Sequence, residues 1–242
     1  MRESVLVTPE VYIIAIENNV TSQYYLNRVK PSWEKGGFKV NEFKACTPDT
    51  LNKEYCGLHL NFGKRDQAGI KRRGEEITLT EKAVWYSHLS LWNKCRKDNK
   101  NIIIVEHDAL LIHPMKLSYF NNCKPIVAFA TAGVPACAKY CECTDCIRTK
   151  KSRNITAGGA YYLTPKIARI LINEAVSNII TRNSDGLIHT IMRKYGQVKG
   201  DHYRSYQLVS TKYRATIDHG DNFLGAVNKE YILDRVLKNA DI

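Results

Sequence analysis

Several features are missing from this 242-residue chain, and each absence excludes a class of protein. No apolar run reaches the ~18 residues a membrane-spanning helix needs, so no transmembrane segment is expected. The opening residues, Met1-Arg2-Glu3-Ser4-Val5, lack a basic stretch followed by an apolar one. They do not read as a secretory signal. The expected compartment is therefore the cytoplasm, a host's cytoplasm if the protein is viral. In that reducing setting the eight cysteines are expected as thiols or metal ligands, not disulfides. There are no internal repeats and no low-complexity segment. No helix-turn-helix, RNA-recognition or Cys/His finger signature is present.

The remaining composition is that of a globular enzyme. Hydrophobic residues make up 44% and charged residues 25%. The length fits a single domain, residues 1–242. The net charge of +12 is high and points to a polyanionic partner: nucleic acid, an anionic membrane surface or a phosphorylated substrate. A basic surface kept for solubility is the alternative.

The pattern along the chain is β-α-β. Val11–Ile16 reads as a strand, Thr21–Trp33 as a helix ended by Gly36-Gly37, and Phe38–Phe43 as an alternating strand. A parallel sheet follows from that opening. Residues 45–78 read as a long polar loop. A helix capped by Thr80 runs to about Lys97, with Val84, Trp85, His88, Leu91, Trp92 and Cys95 at helical spacing. Further strands are expected at Ile126–Ala130 and Gly158–Leu163. Pro165 starts a helix reaching about Ile180, and Ser184-Asp185 opens another reaching about Tyr195. Residues 131–156 form a Cys-rich, basic insert.

The most telling stretch is Ile102 to Leu111. Ile102-Ile103-Ile104-Val105 reads as a buried parallel strand, and Glu106-His107-Asp108 follows at its carboxyl end. Ligands of open α/β sheets bind there. Two carboxylates two residues apart can share one divalent cation; two solvated acids are the other reading. His107 alternates to the opposite side, as a packed histidine or a ligand.

Taken together, the Ser87-His88 to Trp92 helix, the strand ending in acid-His-acid, the Gly158-Gly159-Ala160-Tyr161-Tyr162-Leu163 segment and the Ser184-Asp185 helix start resemble the family-25 glycosyltransferases. These include lipopolysaccharide and collagen sugar transferases. The resemblance covers about residues 10–220. It departs from the family pattern at His107, where the family has an acid, and in the cysteine insert. It implies a GT-A-like, mostly parallel sheet flanked by helices, a nucleotide-sugar donor and a Mn²⁺ or Mg²⁺ ion. Asp108 would be a direct metal ligand, and Glu106 would face the ribose or a metal-bound water. His88 would line the donor site, or be an ordinary core histidine. Asp185 would take the acceptor hydroxyl proton, or only cap its helix. His219, within Asp218-His219-Gly220-Asp221, would add a metal or phosphate contact, or belong to a plain loop.

Cys137, Cys141, Cys143 and Cys146 lie within ten residues. A structural Zn²⁺ site and free thiols are the two readings. Lys71, Arg72 and Arg73 in one loop, with Lys150, Lys151 and Arg153 in the insert, would face a nucleic acid or be merely solvated. The favoured acceptor is then a hydroxylated or hydroxymethylated base in phage DNA, reached by flipping. A lipopolysaccharide or lipooligosaccharide acceptor is the alternative. A nucleic-acid-binding module that kept the fold and lost catalysis is a third reading, against which the intact Glu106 and Asp108 argue.

Overall fold

The structure, a computed structural model, describes residues 8–51, 57–66, 74–109, 111, 120, 125–128, 130–131, 159–195 and 209–210. It is a mixed α/β fold with helices on both faces of a mostly parallel sheet. The strands are β1 (Glu10–Ala15), β2 (Val40–Lys44), β3 (Asn61–Phe62), β4 (Ile102–Glu106), β5 (Ile126–Ala128), β6 (Ala130–Thr131), β7 (Ala160–Leu163), β8 (Ile179–Ile180) and β9 (Val209–Ser210). The helices are α1 (Val20–Lys35), α2 (Leu79–Asp98), α3 (Pro165–Ser177) and α4 (Ser184–Tyr195). The central sheet runs β2-β1-β4-β7-β5. β1 pairs in parallel with both β2 and β4, whereas β7 is antiparallel to β4 and β5.

Side chains alternate between two cores. Val11, Ile13, Ile103 and Val105 pack with Leu26, Val29 and Trp33 of α1. Tyr12, Ile14, Ile102 and Ile104 pack with α2, α3 and α4 through residues such as Leu89, Leu171 and Ile188. With both faces covered, β4 reads as an unbroken apolar run instead of an alternating one. Glu106 shares the parity of Ile102 and Ile104, which sets its side chain on the α2 face.

Four expectations are corrected in detail. β4 is parallel to β1 only, because its other neighbour, β7, runs the opposite way. Thr78, not Thr80, caps α2. Its side chain accepts from the Glu81 amide while Glu81 accepts from the Thr78 amide, a reciprocal capping box that Thr80, two residues further on and already inside the helix, cannot make. The expected strand 126–130 divides into β5, in the central sheet, and β6, which pairs with β9. Residues 45–78 are not wholly irregular: β3 pairs in parallel with β8, and Lys64 bridges to Glu76. Asn99, in the left-handed conformation, ends α2 by returning its amide to the Cys95 carbonyl. The turn that follows brings the chain straight into β4.

Candidate active site

α2 is tied to the sheet by three side chains of its Ser-His-x-x-x-Trp segment. The Ser87 hydroxyl accepts the Cys46 amide at 2.8 Å and donates to the Ala83 carbonyl at 3.0 Å, so the chain leaving β2 is held against the helix. His88 Nδ1 lies 2.9 Å from the Tyr161 hydroxyl on β7. The Trp92 indole donates to the same hydroxyl at 2.8 Å. His88 and Trp92 are i and i+4 on one helical face, and both reach a single tyrosine on the second strand they cross.

The carboxyl end of β4 is anchored from the opposite face. The Trp33 indole donates to the Ala109 carbonyl at 3.0 Å, and the Ser32 hydroxyl accepts the Leu111 amide at 3.1 Å. The Glu106 amide donates to the Gly159 carbonyl at 2.8 Å, extending the β4–β7 ladder to the acid itself. His107 lies on the α1 side, its ring centroid 6.0 Å from that of Tyr25. A rigid turn thus presents Glu106 and Asp108, both half-buried.

On the α2 face, His88 Nε2 stands 3.7 Å from Glu106 Oε1. His88 is 1% exposed and Glu106 33%, so the imidazole forms a wall and the carboxylate faces the opening. Burial pushes the Tyr161 phenol far above its ordinary range. The Trp92 hydrogen bond opposes that, and the charges of Glu106 and Asp185 add to it. Both acids therefore act on one phenol, which associates the start of α4 with the end of β4.

Asp185 is in the first turn of α4 but is not its cap. The Asn183 side chain takes that role, accepting the Gly186 amide at 3.2 Å. The segment before Asp185 is held by the Trp85 indole, which donates to the Arg182 carbonyl at 2.9 Å. A cavity of about 400 Å³ opens beside this segment, lined by Trp85, Arg182 and Leu187 and edged by Asp66 and Glu174.

Among the described residues, no three His, Cys, Asp or Glu side chains gather into a set that could hold a metal ion. Glu106 and Asp108 nevertheless fit the cation in kind. Both are hard oxygen donors, and Mg²⁺ is usually held by one or two carboxylates with substrate phosphates and water completing its shell. The remaining expected site residues lie outside the described residues: His219; Cys137, Cys141, Cys143 and Cys146; Lys71, Arg72 and Arg73; and Lys150, Lys151 and Arg153. Tyr161 is the site residue that sequence reading passed over, taken there only as part of a strand. A tyrosine in a buried strand opposite a His/Trp pair at i and i+4 was the available signal.

No helix among the described residues is long and apolar enough to cross a membrane. No curated protein and no solved structure matches the chain. A family model described as glycosyltransferase family 25 (LPS biosynthesis protein) matches residues 8–188, from β1 into α4. That span contains the α2 segment, Glu106, Asp108, Tyr161 and Asp185, and the chain belongs to the family-25 glycosyltransferases.

Proposed function

We propose that this chain moves a sugar from a nucleotide-sugar donor to an acceptor hydroxyl at the carboxyl end of β4, in a GT-A-type site. The observation that carries this reading is the placement of Glu106. It sits at the end of a buried strand, backed by His88 and Tyr161, on the sheet face whose chemistry Asp185 shares. Asp108 and Glu106 are the residues that would hold Mn²⁺ or Mg²⁺, with His219 as a further candidate. When bound, such an ion neutralises charge developing on a diphosphate leaving group. Glu106, half-buried against His88, orients the donor. Asp185 accepts the proton of the attacking hydroxyl.

For the acceptor we infer a saccharide hydroxyl of the lipooligosaccharide kind, in keeping with the family description. The cavity beside the Arg182 segment is in keeping with this: its lining carries two carboxylates, Asp66 and Glu174, against one cation, Arg182, a poor surface for a phosphate backbone. A second reading, a hydroxylated base in phage DNA, is favoured by the net charge of +12. Both readings place the protein in the cytoplasm, and in both a Zn²⁺ ion on the four clustered cysteines would shape the insert.

The test is a screen of nucleotide-sugar donors against lipooligosaccharide, hydroxymethylated DNA and unmodified DNA, with Mn²⁺ and with chelator. Metal-dependent sugar incorporation into lipooligosaccharide alone is expected. Incorporation into hydroxymethylated DNA alone would select the second reading. No transfer and no donor hydrolysis with any pair would defeat both.

A further inference from the structure

We propose that Tyr161 is a positioning residue of the donor site: with Trp92 it fixes His88 in the tautomer whose Nε2–H faces Glu106, and so orients that carboxylate. The inference rests on reading the end of β4 as the place where the nucleotide sugar binds.

An indole Nε1–H only donates. At 2.8 Å the Tyr161 oxygen must therefore accept from Trp92. The phenol has one proton of its own and one further partner, His88 Nδ1 at 2.9 Å. Suppose Nδ1 carried a hydrogen. Tyr161 would then face two donors, and its own proton would have nowhere to go inside a fully buried site. A stranded buried donor is strongly disfavoured, because it has given up its bond to water and gained none. Loss of the phenol proton is no escape, since burial and two nearby carboxylates push its pKa far up. The phenol therefore donates, Nδ1 accepts, and the imidazole hydrogen is on Nε2.

That nitrogen is buried and has no hydrogen-bond partner among the described residues. Glu106 Oε1 stands 3.7 Å away, just outside hydrogen-bond reach. The imidazole is locked by its tyrosine bond and by stacking on that ring at 5.8 Å between centroids. The glutamate side chain is half-buried against it. A small inward rotation completes the bond and sets the carboxylate in one direction, the role that groups behind a binding carboxylate usually play. Trp92 and Tyr161 act on the donor only through His88.

The experiment reads the imidazole nitrogens of ¹⁵N-labelled protein by long-range ¹H–¹⁵N correlation. His88 is assigned by its absence in His88→Gln. Wild type should show a bare Nδ1 and a protonated Nε2; Tyr161→Phe should populate both tautomers. A bare Nε2 in wild type overturns the proposal, and this arm needs no variant of Tyr161 to fold. The kinetic arm uses the glutamine variant, whose amide supplies an N–H toward Glu106 without help from a tyrosine. Tyr161→Phe should raise the donor KM roughly tenfold to a hundredfold in wild type, leave the acceptor KM unchanged, and add nothing in the His88→Gln background. An equal rise in both backgrounds means a merely structural role and overturns the proposal. If Nε2 is protonated but Glu106→Gln binds donor as wild type does, the donor-site reading fails, and with it the relay's role in binding, while the tautomer stands.

Discussion

The Trp85 indole donates a hydrogen bond to the Arg182 carbonyl across 97 residues of sequence. This contact ties the middle of α2 to the segment that opens α4. His88, one turn further along α2, faces Glu106, and Asp185, three residues after Arg182, is the acid assigned to the acceptor. One helix thereby sets the spacing between the proposed donor and acceptor halves of the site.

Trp85→Phe should uncouple those halves. The lost hydrogen bond alone should lower stability by about 0.5–1.5 kcal/mol, with a further loss from the smaller ring. The turnover number should fall roughly tenfold to a hundredfold, because a small displacement of a reacting group is costly. Donor affinity should hold, since Glu106 and His88 stay in place. Denaturant unfolding and steady-state kinetics check this. A fall in donor affinity with unchanged turnover would contradict it.

Acid should unfold the protein partly through Glu81. Burial raises that carboxyl's pKa, but the Arg65 guanidinium and the Thr78 amide and hydroxyl outweigh it, and the net value lies below the ordinary 4.5. A depressed folded-state pKa stabilises the protein above the unfolded value. That contribution is lost as pH falls through the folded one. The Tm of Glu81→Gln should be lower near neutral pH, and should fall less than that of wild type between about pH 5 and 3. Parallel Tm–pH curves for the two proteins would rule out this role.

Much of the fold was legible because its elements are long and strongly patterned. α1, α2 and β4 follow from apolar spacing, with Gly36 marking the end of α1, while Pro165 and Ser184 mark the starts of α3 and α4. The two-sided burial of β4 was evident from Ile102-Ile103-Ile104-Val105. The direction of β7 was not legible, since four residues with no alternation carry no sign of parallel or antiparallel pairing. The capping box at Thr78 was hidden by a second threonine two residues on. In the site, Glu106 and His88 were legible as residue types at a strand end and on a helix face. Their approach to 3.7 Å was not, because it depends on how α2 packs against the sheet. Tyr161 escaped notice because its neighbour Tyr162, on the other core, looks identical in sequence.

The four clustered cysteines give a compositional prediction. If Cys137, Cys141, Cys143 and Cys146 hold Zn²⁺, elemental analysis of purified protein should give about one zinc per chain. Ser at Cys143 or Cys146 should lower that figure and expose residues 131–156 to protease. Cys95 should not contribute: it is buried, and burial pushes its thiol up to about 12. A folded protein free of zinc would end the idea.

The two acceptor readings part over salt. DNA held by basic loops loses roughly one log unit of affinity per log unit of salt for each phosphate contact. Alanine at Lys71, Arg72 and Arg73, or at Lys150, Lys151 and Arg153, should then flatten that slope. A saccharide acceptor predicts weak DNA binding and no change of the DNA slope in either triple variant.

Glu106 and Asp108, at the end of β4, are proposed to bind a nucleotide sugar with a divalent cation. Calorimetric titration of the nucleoside diphosphate product with Mn²⁺ present tests it most directly, with wild type and Asp108→Asn side by side. The substitution removes one charge at nearly constant volume. Wild type should bind, and should stop binding in excess chelator. Asp108→Asn should lose binding while its Tm stays near that of wild type. Equal affinity in the variant, or wild-type affinity undiminished by chelator, would contradict the account.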